Sequence, residues 1–226
     1  MIITANMATI PARFESAKNA INSIYDQVDK LRVYLNNFEK IPSFLEQPKI
    51  EVHQGEDLNA SGKFFWALNE DEYYFTIDDD LYYPSSYVKE HLELMKEYDD
   101  NVAVTLHGKV LRPTPVKRYF QGLKESYHFA NHIKQNRFVM VLGTGVTAIN
   151  TNKVKINWRN FRHYYMDDVE VSMQLQAQKI PIIVRKHKAG YLKQMWTPGK
   201  SLHQAWVRDD STHVERINSI KWKVHQ

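Results

Sequence analysis

The chain has 226 residues, 43% hydrophobic and 25% charged, with 30 Lys and Arg against 26 Asp and Glu and a formal net charge of +4. That length suits one substantial α/β domain rather than two large ones. It holds no cysteine, which excludes disulfide frameworks, thiolate nucleophiles and Cys-rich zinc sites.

Strand candidates, in chain order, are "IITANM", "KLRVYLNN", "IEVHQ", "YYFTI", "NVAVTL", "RFVMVLG" and "IPIIVRK", each short and rich in β-branched or aromatic residues. Helical patterns lie between them. In "RFESAKNAINSIYDQV" Phe14, Ala17, Ile21, Ile24 and Val28 share one face, after a Pro11 suited to helix entry. "PSSYVKEHLELMKEY" carries Val88, His91, Leu92, Met95 and Tyr98 at helical spacing, and "MDDVEVSMQLQAQK" opens with two carboxylates where a helix dipole favours them. Alternating strands and helices predict a mostly parallel sheet with helices on both faces, which binds ligands at the carboxyl ends of its strands. The prolines, aromatic residues and basic charge of 107–137 predict a surface excursion that breaks the alternation.

The N-terminus "MIITANMATIPARF" lacks a basic region followed by an apolar block, so it is not read as a signal peptide. No apolar run reaches the ~20 residues needed to cross a bilayer. The expectation is a cytoplasmic protein without a transmembrane segment, with peripheral contact at the inner membrane face left open. Charge is uneven: residues 1–106 carry 9 basic against 19 acidic residues, and residues 107–226 carry 21 against 7. This asymmetry points to a partner with both anionic and cation-bridged parts. No RNA-binding motif is present, and the acidic front half argues against nucleic acid.

The stretch "EYYFTIDDDLYYP", residues 72–84, ends a strand in three adjacent aspartates, whose mutual repulsion calls for something positive nearby. Clustered carboxylates at a strand end suit a hard cation, Mg²⁺ or Mn²⁺, shared with substrate phosphates; the bland alternative is a solvated acidic turn. A phosphatase with an aspartate nucleophile would want its aspartates on the first strand. A nucleotidyltransferase of similar topology would want a Gly-rich loop after that strand, and no glycine precedes Gly55. The third possibility is a metal-dependent glycosyltransferase, in which aspartates hold a divalent ion on the diphosphate of a nucleotide sugar.

"TIPARF", "VYLNNF", "SGKFFWAL", "DDDLYYPSSYV", "GTGV" and "MDDVEVSMQLQAQKI" occur in the order found in GT-A fold glycosyltransferases, and the sequence resembles the inverting family 2 class over roughly residues 1–185. The resemblance implies a Rossmann-like nucleotide-diphospho-sugar transferase fold over 1–226, with a donor-binding half at 1–106 and an acceptor-binding half at 107–226. It implies that Pro11 and Arg13 flank the nucleotide base and that Asn36, where the family usually has an acidic residue, faces base or ribose. Lys63 would approach the nucleotide, although a solvated helix lysine is the plain alternative. Asp78 and Asp79 would meet ribose and metal-bound groups, Asp80 would ligate Mn²⁺ or Mg²⁺ together with Asp78, and His203 would supply a late ligand. Asp168 would be the catalytic base, with Asp167 beside it on the acceptor. His107 and the Gly143, Thr144 and Gly145 loop would look onto the acceptor. The implied donor is a nucleotide sugar, a UDP-sugar first, and the implied acceptor a glycan or lipid-linked hydroxyl compound, anionic if the basic excursion binds it. Without a "Q..RW" pattern or membrane helices the enzyme would be non-processive. The alternative from another class is a non-catalytic nucleotide-sugar or polysaccharide binding module of the same fold.

Overall fold

The computed structural model describes residues 1–113, 115–197 and 210–226. An eight-stranded sheet runs in the order β3-β2-β1-β4-β11-β6-β12-β9. Its strands are β1 (Ile2–Thr9), β2 (Lys30–Asn36), β3 (Ile50–Gly55), β4 (Glu72–Ile77), β6 (Ala103–Thr105), β9 (Arg137–Val139), β11 (Val146–Asn150) and β12 (Ile182–Val184). β3, β2, β1 and β4 are mutually parallel, as are β6 and β12, while β11 and β9 run against their neighbours. The result is a mostly parallel α/β sheet of Rossmann-like character. Because side chains alternate across a strand, Leu31, Val33 and Leu35 enter one core with Phe75 and Ile77, whereas Tyr34 and Tyr74 enter a second core on the opposite face.

Helices cover both faces. α1 (Phe14–Ile24) and α2 (Tyr87–Lys96) seal the first core through Ala17, Ile21, Ile24, Val88 and Met95. α3 (Asp167–Gln178) seals the second through Val171 and Leu175. A third apolar cluster joins Met166 and Val169 to Ile217 of α4 (Ser211–Asn218). Among the described residues no helix is long and apolar enough to cross a membrane.

Three expectations need correction. The run "RFVMVLG" is not one strand: it splits at Met140, whose N–H bonds to the Lys109 carbonyl at 2.9 Å, so that β9 joins β12 while β10 (Val141–Leu142) joins β7 (Gly108–Leu111). The 107–137 segment is not merely a surface excursion, since β7, β8 (Leu123–Tyr127) and β10 form a three-stranded antiparallel sheet. β11, read only as part of "GTGV", is a fully buried central strand.

Opposite the site end of the sheet, Arg32 makes a bidentate pair with Glu72, both bonds 2.8 Å and both side chains buried. Thr4 and Asn69 complete the Glu72 carboxylate, and Glu51 takes the Arg32 Nε. This network ties β1, β2, β3 and β4 together where an unpaired charge would be costly.

Candidate active site

Two acidic clusters, a triplet and a pair, meet at the carboxyl end of the sheet. The first follows β4, where Asp78, Asp79 and Asp80 turn into the short strand β5 (Leu81–Tyr82); the second, Asp167 and Asp168, opens α3. Lys63 lies between them. It sits in the 3₁₀ turn Asn59–Phe64, is 2% exposed, and its ammonium donates to Asp78 Oδ1 while lying 3.7 Å from Asp167 Oδ2. Burial alone would lower the Lys63 pKa, but Asp78, Asp167 and Asp168 outweigh it and raise it. The reading of Lys63 as a solvated lysine is therefore wrong.

The repulsion in the aspartate triplet is offset by two cations. Asp78 has Lys63; Asp79 is buried, with Arg13 Nη1 at 2.9 Å on one oxygen and the Thr9 hydroxyl donating at 2.8 Å to the other. Desolvation still raises the Asp79 pKa, with Arg13 pulling the other way. Asp80 is compensated least: Arg13 Nη2 stands 3.8 Å away, and burial with the charges of Asp78 and Asp79 pushes its carboxyl up to about 6. Adjacent carboxylates in an all-oxygen donor set fit a hard divalent cation shared with phosphate oxygens. Asp80 and Asp78, whose side chain is 40% exposed, are the residues that would hold it. Among the described residues no three His, Cys, Asp or Glu side chains group as a metal cage. His203 lies outside the described residues.

The loop before β11 fixes the geometry. The Asp78 N–H donates to Tyr83 Oη at 2.8 Å, and that hydroxyl donates to the Gly145 carbonyl at 2.7 Å. A Cβ on Gly145 would fall 1.8 Å from Asp78 Oδ2, so only glycine allows the approach. A Cβ on Gly143 would similarly meet the Cβ of half-buried His107 at 2.7 Å. Between these glycines Thr144 addresses the second acidic pair: its N–H donates to Asp168 Oδ1 at 2.8 Å, and its hydroxyl lies 2.5 Å from Asp167 Oδ2 and 3.0 Å from Asp168 Oδ1. That hydroxyl has one hydrogen, so it donates to one of the two carboxyls at a time. Burial foremost, and then the neighbouring Asp168, push Asp167 up to about 6 against the pull of Lys63 and Thr144.

Asn36 is buried at the end of β2, where its amide donates to the Asn59 carbonyl at 3.0 Å and accepts from the Leu58 N–H at 2.9 Å, bracing the turn that carries Lys63. Pro11 is exposed at the first position of the 3₁₀ turn Pro11–Arg13. Along the aspartate turn, Lys193–Gln194 pairs with Leu81–Tyr82, the Met195 N–H bonds to the Asp80 carbonyl at 2.7 Å, and Arg13 reaches Thr197 at 3.3 Å. Trp196 in this segment is 84% exposed, unlike buried Trp66 and half-buried Trp158. Thr9 and Tyr83 were missed from sequence. Tyr83 had a signal in "DDDLYYP", but nothing set Thr9 apart from Thr4 and Asn6, the other polar residues of β1. Of the basic excursion, Lys109 is half-buried against the Tyr119 hydroxyl at 3.1 Å and Arg118 pairs with Asp210 at 3.4 Å.

No protein-family model and no curated protein matches the chain. Among solved structures it is similar to 4-diphosphocytidyl-2C-methyl-D-erythritol synthase from Anaerococcus prevotii DSM 20548, with 11% identity, 95% of this chain and 98% of the other covered, and a TM-score of 0.50. It is also similar to 2-C-methyl-D-erythritol 4-phosphate cytidylyltransferase (IspD) from Francisella tularensis, with 13% identity, coverage of 91% and 98%, and a TM-score of 0.49. The fold is that of the nucleotide-diphospho-sugar transferases. Identities this low carry the fold and no further.

Proposed function

We propose that the protein is a divalent-cation-dependent glycosyltransferase that moves a sugar from a nucleoside-diphosphate donor to a hydroxyl of a glycan or lipid-linked acceptor, with inversion. The observation that carries this reading is the meeting of the Asp78–Asp80 turn and the Asp167–Asp168 pair at one end of the sheet, bridged by Lys63. The turn suits a donor diphosphate and its cation, and the second pair lies within reach of an acceptor hydroxyl.

In this reading Asp168 takes the proton of the acceptor hydroxyl as the new bond to the anomeric carbon forms and the bond to the diphosphate breaks. Thr144 holds Asp168 in place through its N–H and hydroxyl, and Arg13 and Lys63 position the crowded carboxyls. Mn²⁺ or Mg²⁺ on Asp80 and Asp78 would neutralise charge on the departing nucleoside diphosphate.

The activity of the Anaerococcus prevotii neighbour, synthesis of a diphosphocytidyl compound, raises nucleotidyl transfer as a second reading. The first loop disfavours it. A loop that wraps a triphosphate needs backbone N–H groups at close approach, whereas here Ile10–Arg13 has no glycine and Arg13 is committed to Asp79. Incubation with a panel of nucleotide sugars and Mn²⁺ tests the proposal. Release of nucleoside diphosphate supports it; pyrophosphate release from nucleoside triphosphates alone moves the function to nucleotidyl transfer; binding of intact nucleotide sugar without turnover marks a binding module.

A further inference from the structure

A second polar pocket lies behind the aspartate turn, between α2 and the chain that leaves β12. Arg185, the first residue after β12, is 8% exposed. Its Nη1 pairs with Glu90 of α2 at 2.5 Å and also reaches the Lys186 carbonyl at 3.3 Å, and its guanidinium carbon sits 4.8 Å over the Tyr191 ring. Its remaining two nitrogens, Nε and Nη2, are buried with no hydrogen-bond partner. The Tyr87 hydroxyl, 0% exposed and within the field of Arg185, is also buried without a partner.

These three groups are all donors, and their arrangement is specific. Nε–H and Nη2–H point the same way along one edge of the guanidinium, the edge that grips two oxygens of a carboxylate or phosphate in parallel. A buried guanidinium with that edge unpartnered carries the desolvation cost of two charged N–H groups, which a partner oxyanion would remove. Glu90 does not fill it, because it holds the opposite nitrogen. Arg185 lines a cavity of about 530 Å³ that also receives Lys186, Lys188 and Tyr191, with Glu93 and Glu97 on its α2 side. The two lysines add positive charge on the Arg185 side, and the glutamates restrict the occupant to a small anion seated at the guanidinium.

We propose that Arg185 is the anchor of a second binding site, outside the aspartate cluster, for a small oxyanion, a phosphate or carboxylate group gripped through Nε–H and Nη2–H. The site stands whether or not the protein transfers sugars. It is connected to the aspartate turn, since Tyr191 precedes Lys193–Gln194, which pairs with Leu81–Tyr82.

The test follows the Arg185 Nε–Hε resonance in full-length protein labelled with ¹⁵N at arginine, assigned by its loss in Arg185→Lys. Inorganic phosphate and sodium acetate are added separately, with sodium chloride holding ionic strength constant. The expected result is a saturable downfield shift with at least one of them, together with a rise in Tm of several degrees that Arg185→Lys does not show. Response to phosphate alone assigns a phosphate ligand, and response to acetate alone a carboxylate. Arg185→Lys keeps a cation opposite Glu90 but has no fork, so its Tm without added anion should stay close to that of the parent. If that variant does not fold, the behaviour of the parent resonance decides. A resonance unmoved by either anion up to tens of millimolar means the fork is filled by water, and overturns the proposal, as would an equal anion-induced rise in the Tm of Arg185→Lys.

Discussion

The Lys63 ammonium lies 3.7 Å from Asp167 Oδ2 while it donates to Asp78, so one buried cation joins a carboxylate at the end of β4 to a carboxylate at the start of α3. These residues are 15 and 104 positions away from Lys63 in the chain, yet their charges are held as one unit.

Lys63→Met should therefore act on both pairs at once. Removing one partner of a buried ion pair costs about 3–5 kcal/mol, so the midpoint of urea unfolding should fall clearly, and calorimetry should record loss of Mn²⁺-linked nucleoside diphosphate binding. A variant with parental stability and binding would show that the ammonium is dispensable.

Gly145→Ala places a Cβ 1.8 Å from Asp78 Oδ2. The carboxylate has to move, and overpacking of this kind costs about 1–3 kcal/mol. Donor binding should weaken more than stability falls, because the displaced group is the Lys63 partner. Unchanged donor affinity measured by calorimetry would contradict this.

Asp168→Asn retains an acceptor for the Thr144 N–H but cannot take a proton. Turnover in the nucleotide-sugar assay should drop by roughly 10²–10⁴ with donor affinity preserved. Near-parental turnover would transfer the base role to Asp167.

The Arg32–Glu72 pair is distant from the chemistry and tests stability alone. Arg32→Met leaves the Glu72 carboxylate buried without its bidentate partner, at a cost of about 3–5 kcal/mol. The double variant with Glu72→Leu should recover much of that loss in chemical denaturation, because it removes both charges; additive losses would mean the pair is not coupled.

Stability should also depend on pH through His91. This ring is fully buried against Tyr87 at 4.2 Å, and burial, followed by the charge of Arg185, holds its pKa down to about 3 from the ordinary 6.5. A depressed pKa means that the unfolded chain binds the proton first. The contribution of His91 is thus complete above about pH 6.5 and is lost as pH falls toward 3, by up to about 1.4 kcal/mol per pH unit. Denaturation curves of His91→Phe should lose up to one proton's worth of slope in that window. An unaltered slope would show that the ring is already protonated in the native state or hydrated.

The layered α/β architecture was legible in the sequence because burial on a sheet or helix face leaves a local period. The spacing of Ala17, Ile21 and Ile24 follows from it directly. The acidic clusters were legible for a related reason: like charges beside an apolar strand are costly enough to signal a compensating group. What compensates them was not. Arg13, Lys63, Thr9 and Tyr83 are separated from their partners by up to 104 residues, and no period relates them. Lys63 could approach the nucleotide or be a solvated lysine until the fold buries it between two carboxylates, and β11, of which only Val146 fell in a motif, is recognised as a strand only when β4 and β6 pair with it on both sides. The sequence determined which faces had to be buried and where charge had to gather. Only the tertiary structure decided which residues share that charge, because long-range pairing depends on strand order, and strand order leaves no local trace in the chain.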